Sequence, residues 1–370
     1  MRIGHVIYRY KPLVGGAEIY LYQLFKILKE AGHSQRVYQR DNSIRSPEIK
    51  SVPKLTRRLP KLIAFNLGLP FQYHNLRKED LIIINYPEHY PPVAWHKNTI
   101  VVSHGSSWTF LERKWMNKIR KRVACYAFNH AGQYVCNDTF VLQELGINVS
   151  PQQKMFQEVS LNKWFIPNCV DVNYFKKTNG IADLKRLNPI LVPRNLTSSR
   201  GIDLAILAFA LFQRKYHSTN LVIVGEAIKD MPSSIEYKDR LNNLINELNL
   251  ENKVYFYGIV KRESMPDIYS SALLTLIPTR CSEGTSFSAL ESMSCGTATI
   301  STNVEGLLDL PTVHCKANEQ DLADKMIKVF EKRKQVGQEQ QEKVKNTYNL
   351  NNWRRTWLEV IKKAERKIGK

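Results

Sequence analysis

The sequence has no hydrophobic run of about 18–20 residues, the length that a transmembrane helix requires. Its first residues, Met1–Tyr8, predict a strand rather than a signal peptide, so we expect a cytoplasmic protein. Gly-x-x-x-x-Gly-Lys and Gly-x-Gly-x-x-Gly are both missing, which argues against a P-loop and a dinucleotide fingerprint. Asp-x-Asp is missing too, and such acid pairs commonly hold a divalent metal. We therefore expect neither a metal nor another cofactor.

The sequence also has no cysteine pattern that is typical of a metal site or of a disulfide framework. The six cysteines form no Cys-x-x-Cys pair and no cluster with histidine, which argues against a zinc site and against a disulfide framework. We interpret them as reduced, mostly buried thiols. They are Cys125, Cys136, Cys169, Cys281, Cys295 and Cys315.

Positive charge is abundant. The formal net charge of the 370 residues is +20. Residues 1–175 carry 24 Lys and Arg against 12 Asp and Glu, a net of +12, and the remainder carries 30 against 22, a net of +8. Such a field attracts nucleic acids, anionic lipids or phosphorylated substrates. Because no zinc finger, RNP-type motif or basic zipper is present, we expect no nucleic acid partner.

Short β-rich runs alternate with helical periodicity along the whole chain, which predicts doubly wound α/β domains. The length favours two domains. We expect a first domain over residues 1–175, a second over 176–347, and a C-terminal helix over 348–370 that carries Trp353 and Trp357. The segment Lys176–Gly180 has the composition of a linker. A cleft between two such domains is a common place for a small-molecule site.

In the first domain, two candidate features each follow a predicted strand. Gly15 and Gly16 lie between the first strand and the first helix, where backbone can approach a ligand closely. A plain tight turn explains them equally well. His104 follows the strand Ile100–Ser103, at the mouth of a pocket in an open α/β sheet. A structural histidine is the alternative.

The second domain offers charged candidates. Arg194 and Arg200 flank a polar loop after a strand, and the arginine fork suits phosphate oxygens. Glu283 precedes Gly284, and Glu291 follows eight residues later on a short helix whose N-terminus favours anions. The alternatives are a solvated basic loop, a solvated loop acid, and a Ser288–Glu291 capping box.

Together these motifs resemble the family 4 retaining glycosyltransferases. The resemblance covers nearly the whole chain. It rests on Glu283-x7-Glu291, Arg194-x5-Arg200-Gly201, Gly15-Gly16-Ala17-Glu18, His104, the segment Pro167–Asp171 and the tryptophan helix. It implies the GT-B fold, in which two Rossmann-like domains face each other across a cleft and the last helix crosses back to the first domain. It also implies a hexosyltransferase that needs no metal.

The resemblance also implies roles for individual residues. Arg194 and Arg200 would stabilise the diphosphate of a nucleotide-sugar donor as charge builds on it. Glu283 and the backbone of Gly284–Ser286 would contact the sugar and phosphates, and Glu291 the ribose. Gly15 and Gly16 would approach the phosphates, and His104 would lie near the transferred sugar. Val260, which follows a strand ending at Gly258, is counted among the donor-binding residues.

Three residues depart from the family's pattern. Arg200 replaces the more usual Lys, so its fork would hold phosphate differently. Cys169 replaces Gly in the Asn-Gly-Val-Asp segment, which bears on backbone freedom. Gly105 follows His104 where Asp is frequent, so an acid partner of His104 would have to come from elsewhere.

Two basic-apolar stretches of the first domain bear on the acceptor. One is Lys50–Lys78, and the other is Arg113–Val123, where Trp115, Ile119 and Val123 recur every four residues among cations. Such a helix can lie on an anionic membrane, or it can pack its apolar face on its own sheet. A glycan or lipid-linked acceptor in cell-surface polysaccharide or glycolipid biosynthesis would suit the first alternative, at the inner face of the cell membrane.

Three other functions stay open at this stage. A sugar-nucleotide epimerase or a phosphorylase-type enzyme would bind similar ligands on the same fold. A polyanion-binding protein would use the net charge of +20. A catalytically inactive family member acting as a binding subunit would not need Arg194, Arg200, Glu283 and Glu291 together.

Overall fold

The structure is a computed structural model, and it describes residues 1–13, 15–41, 44, 46–54, 59–110, 114–149, 155–228 and 231–369. The chain forms two compact units. The first unit contains Met1–Asn168 and Asn351–Lys370, and the second contains Cys169–Leu350. The sequence-based division was placed at 175/176, whereas the units divide at 168/169.

The first unit is built on an eight-stranded sheet with the order β3-β2-β1-β4-β5-β6-β8-β7, in which only β7 pairs antiparallel. The strands are nearly all apolar at their centres, and β4 and β5 are buried along their whole length. Burial on both faces is typical of parallel sheets. The strands are β1 Arg2–Val6, β2 Ser34–Arg40, β3 Ile49–Val52, β4 Leu81–Asn85, β5 Thr99–Ser103, β6 Gln133–Cys136, β7 Gln157–Ser160 and β8 Lys163–Phe165.

Helices of the first unit connect these strands. The longest, α4, packs Ala124, Ala127 and Phe128 into the core and leaves its basic side in solvent. The helices are α1 Gly16–Glu30, α2 Lys61–Gly68, α3 Tyr73–Leu76, α4 Lys114–His130 and α5 Thr139–Glu144.

The second unit contains an all-parallel sheet of six strands with the order β11-β10-β9-β12-β13-β14. Its strands are β9 Pro189–Val192, β10 Asn220–Val224, β11 Val254–Gly258, β12 Leu274–Ile277, β13 Thr299–Thr302 and β14 Val313–Cys315. Its helices are α6 Ala182–Arg186, α7 Ile202–Gln213, α8 Pro232–Glu247, α9 Met265–Ser271, α10 Phe287–Ser294, α11 Glu319–Glu331 and α12 Arg333–Thr347. Helix α7 is apolar almost all round and is buried between the sheet and α11.

The last helix, α13 Leu350–Ile368, packs on the first unit. Trp353 and Trp357 are fully buried. Both indoles contact the ring of Tyr20 on α1, with centroid distances of 5.0 and 6.1 Å, and Trp357 Nε1 donates to Tyr20 Oη at 2.9 Å. The strongly one-sided distribution of apolar residues in the sequence explains why the helix binds by this face.

Most of the strands and helices expected from periodicity are present. The strands β2, β3, β7, β8 and β14 were not predicted, because they are short or rich in polar residues. The predicted linker Lys176–Gly180 is packed against α9: the Thr178 amide donates to Ser270 Oγ and the Thr178 hydroxyl donates to Asp267 Oδ1. It is therefore part of the second unit and not a free linker.

None of the described helices is long and apolar enough to cross a membrane. Parts of the two basic-apolar stretches, residues 55–58 and 111–113, lie outside the described residues.

Candidate functional site

Arg194 lies just after β9, at the carboxyl edge of the second unit's sheet, where ligands of open α/β folds bind. It is only 8% exposed. A Cβ on Gly225 would lie 2.2 Å from the Arg194 carbonyl oxygen, so only glycine allows β10 to end so close to this residue. Burial lowers the pKa of Arg194 to about 10, which leaves the side chain charged at neutral pH.

Arg200 ends a short 3₁₀ helix, Ser198–Arg200, and is followed by Gly201 with φ of 65°. A Cβ on Gly201 would lie 2.0 Å from the carbonyl oxygen of Pro278. Gly201 is thus required by geometry, because the left-handed turn and the close approach to the β12 loop both exclude a larger residue.

The two arginines converge on Glu283. Arg194 Nη2 lies 3.3 Å from Glu283 Oε1, and Arg200 Nη1 donates to Glu283 Oε2. The Arg194 guanidinium also donates to Ser286 Oγ at 3.0 Å. Its Nε is buried with no hydrogen-bond partner among the described residues. Two cations against one carboxylate leave an excess positive charge and a vacant donor, which suits an anionic ligand.

Glu305 was not predicted, although it holds the Glu283 loop in place. The Ser282 amide donates to Glu305 Oε1 and the Glu283 amide to Glu305 Oε2, both at 3.0 Å. Glu305 is buried and has a positive φ of 46°. It lies 22 residues after Glu283 with no motif of its own, so only the three-dimensional structure brings the two together.

Gly284, Thr285 and Ser286 form the turn that enters α10, and all three are buried. Ser286 occupies the N-cap position, but its side chain makes no capping hydrogen bond to the helix. The positive end of α10 therefore stands next to the Arg194–Glu283–Arg200 cluster, as the strand–loop–helix pattern predicted.

Glu291 lies inside α10 and does not cap it. The capping-box alternative is wrong because the helix begins at Phe287, so Ser288 is not the N-cap residue. The Glu291 carboxylate instead pairs with Arg262 at 2.6 Å and accepts a hydrogen bond from Tyr269 Oη at 3.1 Å. Burial raises the pKa of Glu291, and the Arg262 charge opposes that rise.

Arg262 was also missed by the sequence analysis. It belongs to the 3₁₀ helix Arg262–Ser264, and its guanidinium lies 4.9 Å from the ring centroid of Phe175. Val260, two residues before it, is half-buried in the loop that leaves β11. The loop that leaves β11 therefore borders Glu291. The sequence predicts Val260, in this loop, and Glu291 as two separate donor-binding residues.

The Gly15–Gly16 turn opens α1 in the first unit. Gly15 is the N-cap residue, and its carbonyl accepts the Ile19 amide at 3.2 Å. Glu18 in the first turn is buried and pairs with Arg9 at 2.8 Å. Val14 lies outside the described residues.

His104 stands at the end of β5 and is enclosed by rings. Tyr20 and Tyr86 contact it edge-on, with centroid distances of 4.7 and 5.3 Å. Its Nε2 lies 3.2 Å from Asn85 Oδ1, so a neutral ring protonated on Nε2 donates to the amide. Burial lowers the pKa of His104 to about 3, which keeps the ring neutral at physiological pH.

The departures at Gly105 and Cys169 have structural reasons. Gly105 has φ of 100°, a conformation that disfavours Asp, and the partner of His104 is the Asn85 amide rather than an acid. Cys169 is fully buried and is not among the residues with positive φ, so its backbone does not require glycine. Its thiol has a pKa well above the usual range because it is buried.

Within the part of the chain that the structure describes, no group of three or more His, Cys, Asp or Glu side chains could hold a metal ion. The charges that face one another around Glu283 and Glu291 are arginines and carboxylates.

Comparisons with known proteins bear on the family and the fold. Residues 179–349 match the family described as glycosyl transferases group 1. An uncharacterized glycosyltransferase of Methanocaldococcus jannaschii is 29% identical over 136 residues, 37% of this chain and 32% of its own length. The chain covers about a quarter to a third of the length of the curated relatives that it matches.

Two solved structures cover nearly the whole chain. Sucrose-phosphate synthase from Thermosynechococcus elongatus superposes with a TM-score of 0.80 at 18% identity and covers 98% of both chains. HepE of Anabaena in complex with UDP-glucose gives 0.76 at 16% identity and covers 98% of this chain and 100% of its own. These likenesses show the GT-B fold. The match to the glycosyl transferases group 1 family covers residues 179–349, most of the second unit of this fold.

Proposed function

We propose that this chain is a retaining glycosyltransferase that moves a hexose from a nucleotide-diphosphate sugar to a glycan or lipid-linked acceptor. The observation that carries the proposal is the convergence of Arg194 and Arg200 on Glu283, inside the region that matches the family. A diphosphate brings about two negative charges, and the cluster has a surplus cation, a vacant Arg194 Nε and a helix N-terminus beside it.

UDP-glucose is the donor we expect first, because HepE, with the same fold, was solved with that compound. In the proposed complex the diphosphate takes over hydrogen bonds that the arginines now make to Glu283. The released Glu283 carboxylate then turns to the hydroxyls of the sugar. Glu291 receives the ribose in exchange for part of its contact with Arg262.

The proposed chemistry needs charge stabilisation rather than a protein nucleophile. The acceptor hydroxyl attacks the anomeric carbon from the face that the diphosphate leaves, and its proton passes to the departing phosphate oxygen. As the bond between the anomeric carbon and that oxygen breaks, negative charge grows on the phosphate, and Arg194 and Arg200 stabilise it. No divalent metal takes part. In the first unit, the Gly15–Gly16 turn approaches the phosphates. His104, whose Nε2 proton is donated to Asn85, accepts a hydrogen bond from a hydroxyl of the transferred sugar at Nδ1.

A thermal-shift screen tests the donor site. Purified protein in EDTA is heated with UDP-glucose, GDP-mannose, ADP-glucose or dTDP-glucose. One of them should raise the melting temperature by several degrees, because a ligand at a hundred times its Kd stabilises the folded state by about 2.7 kcal/mol. The variant Arg194→Ala should lose this shift. If no nucleotide sugar changes the melting temperature of the wild type, the proposed function is wrong.

We further propose that α4 holds the enzyme at an anionic membrane surface, where a lipid-linked acceptor for polysaccharide or glycolipid synthesis resides. Trp115 and Ile119 are 67% and 50% exposed, so this face does not pack on its own sheet, although Val123 is half-buried. Lys114 and Lys118 are exposed on the same helix. An apolar strip flanked by cations is typical of interfacial helices.

Co-sedimentation with liposomes tests the membrane proposal. The wild type should bind vesicles that contain phosphatidylglycerol and should be released by salt, since the lysines contribute about 1 kcal/mol each. Trp115→Ser with Ile119→Ser should reduce binding, whereas Tyr255→Ser, which removes an exposed ring of the second unit, should not. Equal binding of the wild type to neutral phosphatidylcholine vesicles would contradict an anionic surface.

A further inference from the structure

A basic pocket opens in the first unit, at the carboxyl edge of β1, β2 and β3. We call it the Arg40 pocket. Its empty volume, including the part open to solvent, is about 470 Å³. Its walls carry three cations, one carboxylate and two aromatic rings: Arg40, Lys54, Lys61, Asp41, Tyr8 and Phe65.

Arg40 is fixed in the pocket by its neighbours. As the last residue of β2 it pairs in register with Val52 of β3. Its guanidinium carbon lies 5.1 Å from the ring centroid of Tyr8, and its Nη1 donates to Tyr8 Oη at 3.1 Å. The Arg40 Nε is buried and has no hydrogen-bond partner among the described residues. A buried N–H of a cation without an acceptor is costly, so an acceptor from outside the chain is the natural partner.

The charge of the pocket favours an anion. Three cations against the single carboxylate of Asp41 give a net charge of about +2 at the walls. Lys54 and Lys61 are exposed at the wall of the pocket, while Arg40 is held in place. A fixed guanidinium fork with ammonium groups beside it matches a phosphate better than a neutral hydroxyl.

Aromatic contacts connect the Arg40 pocket with His104 along the same sheet edge. Tyr8 contacts Phe65 at 5.6 Å between centroids, and Phe65 contacts His89 at 4.8 Å. Tyr86 then contacts His89 at 6.2 Å and His104 at 5.3 Å. The pocket is therefore connected with His104 through a continuous series of ring contacts, and we place there a part of the substrate remote from the reacting hydroxyl.

We infer that the Arg40 pocket binds a phosphate group of the acceptor, with the rings of Tyr8 and Phe65 beside the organic part that carries it. The inference rests on the proposed function, in which the first unit receives the acceptor. The phosphate can belong to a phosphorylated sugar or to the phosphate of a membrane lipid, because both present the same oxygens to Arg40.

Calorimetric titration of the full chain saturated with UDP tests the inference, because UDP occupies the other proposed phosphate site. Glucose 6-phosphate is compared with glucose, and vesicles with phosphatidic acid are compared with pure phosphatidylcholine vesicles. We expect at least one phosphorylated probe to bind ten times more tightly than its neutral counterpart. A preference for glucose 6-phosphate indicates a soluble acceptor, and a preference confined to phosphatidic acid indicates a lipid-linked one.

Variants locate the phosphate. Arg40→Gln, Lys54→Gln and Lys61→Gln should each weaken the phosphorylated probe at least fivefold. Because Lys54 and Lys61 are exposed, their variants still test the pocket if Arg40→Gln fails to fold. Lys29→Gln, an exposed lysine at the end of α1, should leave binding unchanged. Equal affinity for phosphorylated and neutral probes, or no effect of any pocket variant, would overturn the inference. If UDP itself fails to bind, the proposed function fails instead, and the two failures are thereby distinguished.

Discussion

The carboxyl edges of the two sheets differ in chemistry although their strands follow the same order. In the second unit this edge carries two buried carboxylates in ion pairs, Glu283 with Arg194 and Arg200, and Glu291 with Arg262. In the first unit the region around His104 is neutral and aromatic, with Tyr20 and Tyr86 against the imidazole and Asn85 as its polar partner.

This difference teaches that the arrangement of strands sets where ligands bind, and the edge residues set what binds. The order β3-β2-β1-β4-β5-β6 in the first unit corresponds to β11-β10-β9-β12-β13-β14 in the second. In the proposed function the charged edge of the second unit receives a donor diphosphate, whose charge increases as the bond breaks. In the first unit, the neutral region around His104 suits sugar hydroxyls, which need hydrogen bonds without a strong field, whereas the Arg40 pocket at the same edge is basic.

Removing a cation from the charged edge should have the largest effect. Arg194→Ala should lower kcat/KM by about 10²–10³, because one preorganised donor to the departing phosphate is lost. Nucleotide affinity should fall as well. Arg194→Lys should recover part of both, since it keeps the charge without the fork. Steady-state kinetics and nucleotide titration measure the two effects, and unchanged kinetics in Arg194→Ala would remove the basis of the comparison.

Replacing the carboxylate should separate turnover from binding. Glu283→Gln should lower kcat by about 10², because the oriented charge near the sugar is lost. Nucleotide affinity should stay the same or increase, since Arg194 and Arg200 no longer share their hydrogen bonds with a carboxylate. Glu263→Gln, an exposed acid on a neighbouring turn, serves as the matched control. A parallel loss of nucleotide affinity would show that Glu283 has only a structural role.

Removing the Glu305 carboxylate should lower activity indirectly, because Glu305 positions the loop that carries Glu283. Glu305→Ala removes the acceptor of two backbone amides, and hydrogen bonds to a charged group contribute about 1.5–3 kcal/mol each. We expect the free energy of unfolding to fall by about 3 kcal/mol, the lower end of the sum for two such bonds, and kcat to fall about tenfold. Glu305→Gln keeps one acceptor oxygen, so its stability and kcat should lie between those of the wild type and of Glu305→Ala. Urea unfolding and kinetics check this, and a change in stability alone would exclude positioning of Glu283.

Acid should affect the neutral edge more than the charged one. Burial lowers the pKa of His5 to about 4, and of His89 and His104 to about 3, all in the first unit. The unfolded chain therefore takes up protons below about pH 6.5 that the folded unit rejects. Stability should fall as pH drops from 6.5 to 4, by up to about 1.4 kcal/mol per pH unit for each histidine.

Hydrogen exchange at pH 7, 6 and 5 resolves the two units separately. Protection should decrease with acid mainly in residues of the first unit, and His104→Gln should make the decrease less steep. If protection decreased equally with acid in both units, the difference in charge between the two edges would be contradicted.

Much of the fold and of the charged edge was predicted from the sequence, because buried strands such as β4 and β5 are continuous apolar runs and the arginines and glutamates belong to motifs. Strand β2 was missed because its buried Gln35 and Gln39 look like surface residues. In the structure, Gln35 pairs with His5, and Gln39 accepts the Tyr10 amide. The sequence alone does not show which residues far apart along the chain form hydrogen bonds or ion pairs. Glu305 and Arg262 were not predicted for the same reason.

The indoles on α13 give the protein an intrinsic fluorescent probe. Tyr20 lies between His104 and the two buried tryptophans of the last helix, in ring contact with all three. Any displacement of His104 therefore changes the surroundings of Trp353 and Trp357 through a single intervening side chain. Their fluorescence can follow events at the neutral edge in unlabelled protein, and Trp353→Phe and Trp357→Phe identify which indole responds.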